Sequence, residues 1–188
     1  MLVHSIRNRW GSPGGIKEVL MIAWPLILSN SFWTFQLTLD RVLLSQFSPI
    51  AVGAAQSGAL LFWTPFVLLQ FTANYSTTFV AQYIGAKQDH RVGSAVWQAL
   101  YFSILAGILF LSMWFLADPL VQWMGHPAEA RPMETTYLRC LSFSALPFLI
   151  VAAISGFFAG RGDSRTVLLI NASGVLFNAP LTYAWIFG

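Results

Sequence analysis

The stretch "VLLSQFSPIAVGAAQSGALLFWTPFVLLQFTANYSTTFVAQYIGA", Val42 to Ala86, runs 45 residues without an Asp, Glu, Lys or Arg. A helix that crosses a bilayer needs about 20 such residues, so this window is too long for a single span. The turn residues of "SQFSPIAVG", Ser45 to Gly53, divide it near its start. Four other charge-free windows reach spanning length: Val19–Leu39 with 21 residues, Val92–Ala117 with 26, Cys140–Gly160 with 21 and Thr166–Gly188 with 23. Together they predict five helices at about 17–44, 53–82, 93–117, 135–159 and 166–187. The expected fold class is an all-α integral membrane protein, with the third span, the most uniformly apolar, meeting lipid on much of its surface.

Composition agrees with that solvent. The 188 residues are 56% hydrophobic and 9% charged, against about 25% charged in an average soluble domain, and the mean hydropathy is +0.64. Such a chain cannot cover itself with a polar surface. The net charge of +3 and pI near 9.4 do not point to nucleic acid, because the basic residues are scattered singly rather than clustered among aromatics. One cysteine, Cys140, rules out an internal disulfide and is read as a packing residue. No Cys/His spacing signals a zinc site.

The N-terminal Arg7, Arg9 and Lys17 fit the start of a signal peptide, but the apolar stretch that follows is too long and no small-residue cleavage motif closes it. The basic residues instead set orientation. With the N-terminus inside, the cytoplasmic segments hold Arg7, Arg9, Lys17, Lys87, Arg91, Arg161 and Arg165, seven of the ten. Residues 83–92 and 160–165 then face the cytoplasm. The loop "ADPLVQWMGHPAEARPME", Ala117 to Glu134, faces outward, net acidic, with Trp114 and Trp123 as an interfacial belt. Five spans leave the two ends on opposite sides, and the sequence stops at "TYAWIFG" as the fifth helix ends. The expectation is the N-terminal part of a longer protein.

Polar residues inside the spans recur at helical spacing. Ser29, Trp33, Gln36 and Asp40 form one stripe, Asn171, Gly174, Asn178 and Thr182 a second, and Gln70, Asn74 and Thr77 a third. Three stripes suggest a shared interior cavity. Ordinary interhelical hydrogen bonding, worth roughly 1 kcal/mol, accounts for most of these residues equally well. Asp40 has two placements open to it. It can sit with Arg41 in the outer interface as a solvated pair, or within the membrane, where a carboxylate is a functional hypothesis by default. Pro25, in "IAWPLILSN", removes one backbone hydrogen bond from the first span.

Other motifs carry less. "RGDS", Arg161 to Ser164, falls in a predicted turn that Gly162 shapes. The sequons at Asn74 and Asn171 lie inside spans. Gly156 and Gly160 fit the small-xxx-small pattern of close helix packing. His90 and His126 are read as loop residues without partners. No nucleophile–base pair, phosphate loop or metal quartet is present in the sequence, so an enzyme is not expected.

The segments "GGIKEVLMIAWPLILSN" before "DRVLLS", then "VAQYIGAKQDHRVGSAVWQA", "YLRCLSFSALPFLI", "SGFFAGRGDSRTVLLIN" and "FNAPLTYAWIFG" together resemble the multidrug and toxic compound extrusion (MATE) family in its bacterial NorM-like form. The resemblance covers nearly the whole chain in order. It implies two six-helix lobes, of which residues 1–188 supply the first five helices of the N-terminal lobe. The sixth helix and the C-terminal lobe, the implied partner, are absent from the sequence. It further implies export of cationic amphipathic organic compounds across the inner (plasma) membrane, driven by sodium ions or protons. By the resemblance, Asp40 matches the acidic coupling residue of the first helix, Asn178 a polar partner in the fifth, Tyr137 a tyrosine of the fourth, and Pro25 a bending proline. Trp33, Gln36, Gln70 and Asn74 would line the cavity. No cofactor is implied beyond a sodium ion at Asp40. Thr182 stands where many relatives carry a second acid, which puts coupling through a carboxylate pair in doubt. The rival readings are a lipid-linked oligosaccharide flippase of the same superfamily, which would favour a buried arginine cluster, and a non-transporting membrane scaffold or inactive truncated fragment.

Overall fold

A computed structural model describes residues 15–187. Among them the chain forms seven helical segments and no strand: α1 Ile16–Phe47, α2 Pro49–Asn74, α3 Ser76–Gly85, α4 Asp89–Leu111, α5 Met113–Trp123, α6 Arg131–Gly160 and α7 Ser164–Phe187. Two of the boundaries are bends within longer rods. At Tyr75 the amide donates to both Phe71 and Thr72 carbonyls, at 3.0 and 3.2 Å, and α3 continues α2 in a new direction. At Ser112 the side chain bonds back to the Leu109 carbonyl at 2.7 Å, and α5 continues α4. The loop expected at Ala117–Glu134 is therefore helical as far as Trp123. The third span, expected at 93–117, is the rod Asp89–Leu111 with a bend after it.

Four segments are long and apolar enough to cross a bilayer: Pro49–Gly85, Asp89–Leu111, Arg131–Gly160 and Ser164–Ala184. Helix α1, at 32 residues, has the length but is more polar, because Ser29, Asn30, Ser31, Thr34, Gln36, Thr38 and Asp40 interrupt its apolar run. It packs lengthwise along α7, one of the four, and so belongs to the same layer. The hydroxyls of Ser31, Thr34 and Thr38 each donate to the carbonyl four residues back. That internal satisfaction is what lets polar residues stand on a helix without water.

The surface is inverted relative to a soluble protein. Phe115 is 80% exposed, Leu176 74% and Leu105 70%, while the core is built of small and aromatic residues. Helix α6 is central and packs against α2, α3, α4 and α5. Phe62 and Phe66 stack at 4.7 Å, and Phe110 meets both edge-on. Leu138, Ala145 and Leu149 of α6 complete this cluster. Without a hydrophobic force between helices in lipid, close approach depends on small residues. A Cβ at Gly160 would lie 2.7 Å from the Thr77 carbonyl oxygen, and one at Gly156 would strike the Ser76 hydroxyl. Gly107 likewise sits against the Leu146 backbone at 2.7 Å. The glycine pair thus seats α3 on α6, as its spacing suggests.

Three connections are short and hydrogen-bonded. Ser48 alone links α1 to α2: its amide closes α1 on the Leu44 carbonyl at 3.1 Å, and its side chain caps α2 at the Ala51 amide. Pro49 follows at the first helical position, where no amide is needed. The α3–α4 and α6–α7 turns are both Schellman motifs. Gln88 donates to the Tyr83 carbonyl and Lys87 to Ile84, and in parallel Asp163 donates to Phe158 and Gly162 to Ala159. Gly162 takes φ +76° as such a turn requires, whereas its counterpart Lys87 holds φ 55° with a side chain. A left-handed non-glycine residue costs about 1 kcal/mol. Lys87→Gly is therefore expected to raise stability by up to about 1 kcal/mol, read as a higher melting temperature in detergent. An unchanged or lower value would show that the turn is not strained.

Asp163 caps α7: its carboxylate accepts from the Thr166 hydroxyl at 2.6 Å and from the Thr166 amide at 3.2 Å. These bonds, with Arg161 and Arg165 nearby, hold its carboxyl below the usual range. The cap's contribution is therefore present above about pH 4, the unfolded carboxyl value, and is lost as pH falls through the lower folded value.

Candidate functional site

The consecutive antiparallel hairpins run α1 up, α2–α3 down, α4–α5 up, α6 down and α7 up, so α1 and α7 lie parallel where they pack. The contact that fixes their register is Asp40, whose carboxyl faces the Thr182 hydroxyl. Thr182 in turn donates to Asn178 Oδ1 at 3.1 Å, one turn back on α7. The two polar stripes meet at Asp40 and Thr182, whereas Trp33 turns to α2 and α6 and Gly174 faces open space.

Asp40 is half-buried. Its Oδ1 is buried and lacks any hydrogen-bond partner, as does the Ser29 hydroxyl lower on the same stripe. Arg41 does not serve as the counter-ion. Its guanidinium turns to α2 and donates to Gln56 Oε1 at 3.0 Å, and no Asp40–Arg41 ion pair forms among the described residues. Asp40 and Arg41 thus face different neighbours, α7 and α2. Tyr137 of α6 lies near enough to feel the charges of Asp40 and Arg41, with its ring over Gly58 of α2, where an added Cβ would be 2.9 Å away.

The remaining candidates are placed elsewhere. Pro25 is buried inside an unbroken α1. Trp33 packs edge-on against Trp63 and Phe148, at 6.0 and 5.7 Å, joining the aromatic cluster beneath the Asp40 site. Gln36, Gln70 and Asn74 are half-buried. Gln70 and Asn74 belong to α2, which packs against α1 and α6. A groove of about 550 Å³ along α2, α3 and α4 includes none of the four residues expected to line a cavity.

Sequence reading missed a second polar centre at the opposite end of α6 from its glycine pair. His126 Nδ1 bonds Glu134 Oε1 at 2.9 Å, and Glu134 is buried. Arg131 Nε donates to the His126 carbonyl at 2.8 Å. Arg139 pairs with Asp118 and lies over the Trp114 ring at 5.3 Å. His126 is thus not a free loop residue. Cys140, read as a packing residue, is exposed, because α6 turns that face outward.

The family model MatE matches residues 25–184. The chain belongs to the MatE family. Among curated relatives of this MatE chain, a probable multidrug resistance protein NorM from Thermotoga maritima is 26% identical over 92% of the chain. Multidrug resistance protein PmpM from Pseudomonas aeruginosa is 27% identical over 92%. The chain spans 37% and 36% of those two proteins. A solved structure of a MOP superfamily transporter from Pyrococcus furiosus superposes with a TM-score of 0.83 at 22% identity, covering 91% of this chain and 38% of that one. At that identity the likeness shows the fold: a multi-pass helical membrane protein.

Proposed function

We propose that this MatE chain is the N-terminal lobe of a secondary transporter that exports cationic amphipathic organic compounds by antiport against sodium ions or protons. The observation that carries the reading is the Asp40 carboxyl beside the Thr182–Asn178 pair, with its buried Oδ1 left without a hydrogen-bond partner. A carboxylate oxygen without a donor in a membrane-spanning layer is costly unless a proton or metal cation neutralises it. Thr182 and Asn178 offer neutral oxygens of the kind a sodium ion takes. Occupancy by the driving cation and by an organic cation would exclude each other, and antiport needs no more than that. The names of the NorM and PmpM relatives support the multidrug class. The notion of a lipid-linked oligosaccharide flippase has less support, since none of the described arginines is fully buried.

The test is dye efflux from vesicles containing the complete transporter, under imposed sodium and proton gradients. Thr182→Asp places a second carboxylate opposite Asp40, so its efflux should saturate at a lower concentration of the driving cation than the parent's. Identical profiles for parent and variant across a sodium and pH series would remove Thr182 from the site.

The same reading places the N-terminus and the two Schellman turns in the cytoplasm of an inner-membrane protein. In intact cells, a cysteine introduced at Lys87 should resist an impermeant thiol reagent and react once the membrane is opened. Labelling from outside would reverse the orientation.

A further inference from the structure

The groove between α2–α3 and α4 is edged by exposed apolar side chains, Leu68, Phe71 and Phe79 among them, and shares no residue with the Asp40 site. It lies where α2 and α3 join at Tyr75, with α3 seated on Gly156 and Gly160 of α6 and packed as well against α4. Small residues, Ala95 and Ala99 among them, form its floor, and Phe71, Phe79 and Phe102 form its walls.

Two polar features break its apolar lining. Gln98 is exposed at the groove, and its amide makes no hydrogen bond with any described residue. In a spanning helix such an amide needs a partner from outside the protein. Arg91 stands on the same stripe of α4. Arg91, Ala95, Gln98 and Phe102 fall at i, i+4, i+7 and i+11, which sets the guanidinium about 10 Å along the axis from Gln98, at the end of the groove. Arg91 is exposed and forms no ion pair among the described residues, although Asp89 is two positions away on another side of the helix. Lys87 adds a second positive charge at that end, and Trp97 and Tyr101, both exposed and in ring contact, flank it as headgroup-level aromatics do.

We propose that this groove binds an anionic glycerophospholipid. The phosphate pairs with Arg91, the Gln98 amide donates to a glycerol ester carbonyl, and one acyl chain lies along the floor between the three phenylalanines. Charge, amide and apolar channel follow one another in the order in which a phospholipid presents phosphate, ester and chain.

The experiment is native mass spectrometry of the purified protein in mild detergent, with phosphatidylglycerol, phosphatidylcholine and inorganic phosphate as probes. Phosphatidylglycerol should be retained in preference to phosphatidylcholine. Arg91→Gln should weaken phosphatidylglycerol about fivefold, the effect of one basic residue at an anionic lipid, and leave phosphatidylcholine unchanged, while Arg91→Lys keeps the preference. Ala99→Leu should weaken both lipids by filling the floor. Gln98→Leu, an exposed substitution that does not threaten folding, should also weaken both. Equal retention of the two lipids by the parent protein would overturn the proposal. So would displacement of phosphatidylglycerol by inorganic phosphate, which would indicate a free-anion site. Failure of the parent to hold either lipid would mean that another protein segment fills the groove.

Discussion

Asp40→Asn in a complete transporter containing this segment is expected to abolish gradient-driven efflux while leaving expression and membrane insertion at parent levels. The amide preserves shape and can still interact with Thr182, so the substitution separates titration from packing. Neutralisation also removes the cost of holding a partly buried charge, so folding should not suffer. What is lost is the charge that a proton or sodium ion must occupy. The measurement is efflux of a fluorescent cationic dye from vesicles, with protein level monitored alongside. Dye binding without a gradient should survive, because the Trp33–Trp63–Phe148 cluster beneath the site is untouched. Efflux by the Asn variant at the parent rate would exclude Asp40 as the coupling group and return weight to the scaffold reading.

Gly160→Ala is expected to destabilise the fold by about 1–3 kcal/mol, the cost of overpacking a close contact. The reason is geometric: the new methyl would stand 2.7 Å from the Thr77 carbonyl oxygen and equally close to Val80 Cβ. The first is backbone and cannot rotate away. Gly174→Ala is the matched control. It too lies inside a helix, but nothing stands within 4 Å of its added Cβ, and replacing a helical glycine gains up to about 1 kcal/mol in propensity. The two variants should therefore shift thermal unfolding in detergent in opposite directions. If Gly160→Ala were as stable as Gly174→Ala, α3 would not be pressed against α6, and the bend at Tyr75 would need another cause.

The helices were legible in the sequence because lipid leaves a plain mark: charge disappears for the length of a crossing. Their ends were less so. Reading α5 as loop followed from Asp118 and Pro119, which interrupt the apolar run, yet both are accommodated, Asp118 by its pairing with Arg139 of α6. The bend at Tyr75 left no signal, since it contains neither proline nor glycine. The stripes on α1 and α7 were visible as spacing, and their meeting at Asp40 and Thr182 is a property of packing that spacing does not contain. His126 and Glu134 could not be paired by pattern, being eight residues apart across a turn.

The single-residue joint at Ser48 has a mechanical meaning. With α1 closed and α2 opened by the same serine, the two helices share one corner with no slack residue between them. Asp40 sits close to that corner, two turns from the joint, where deflection is small. Any swing of α1 has to be taken up towards the far end, past Pro25, where one rung of the backbone ladder is already missing.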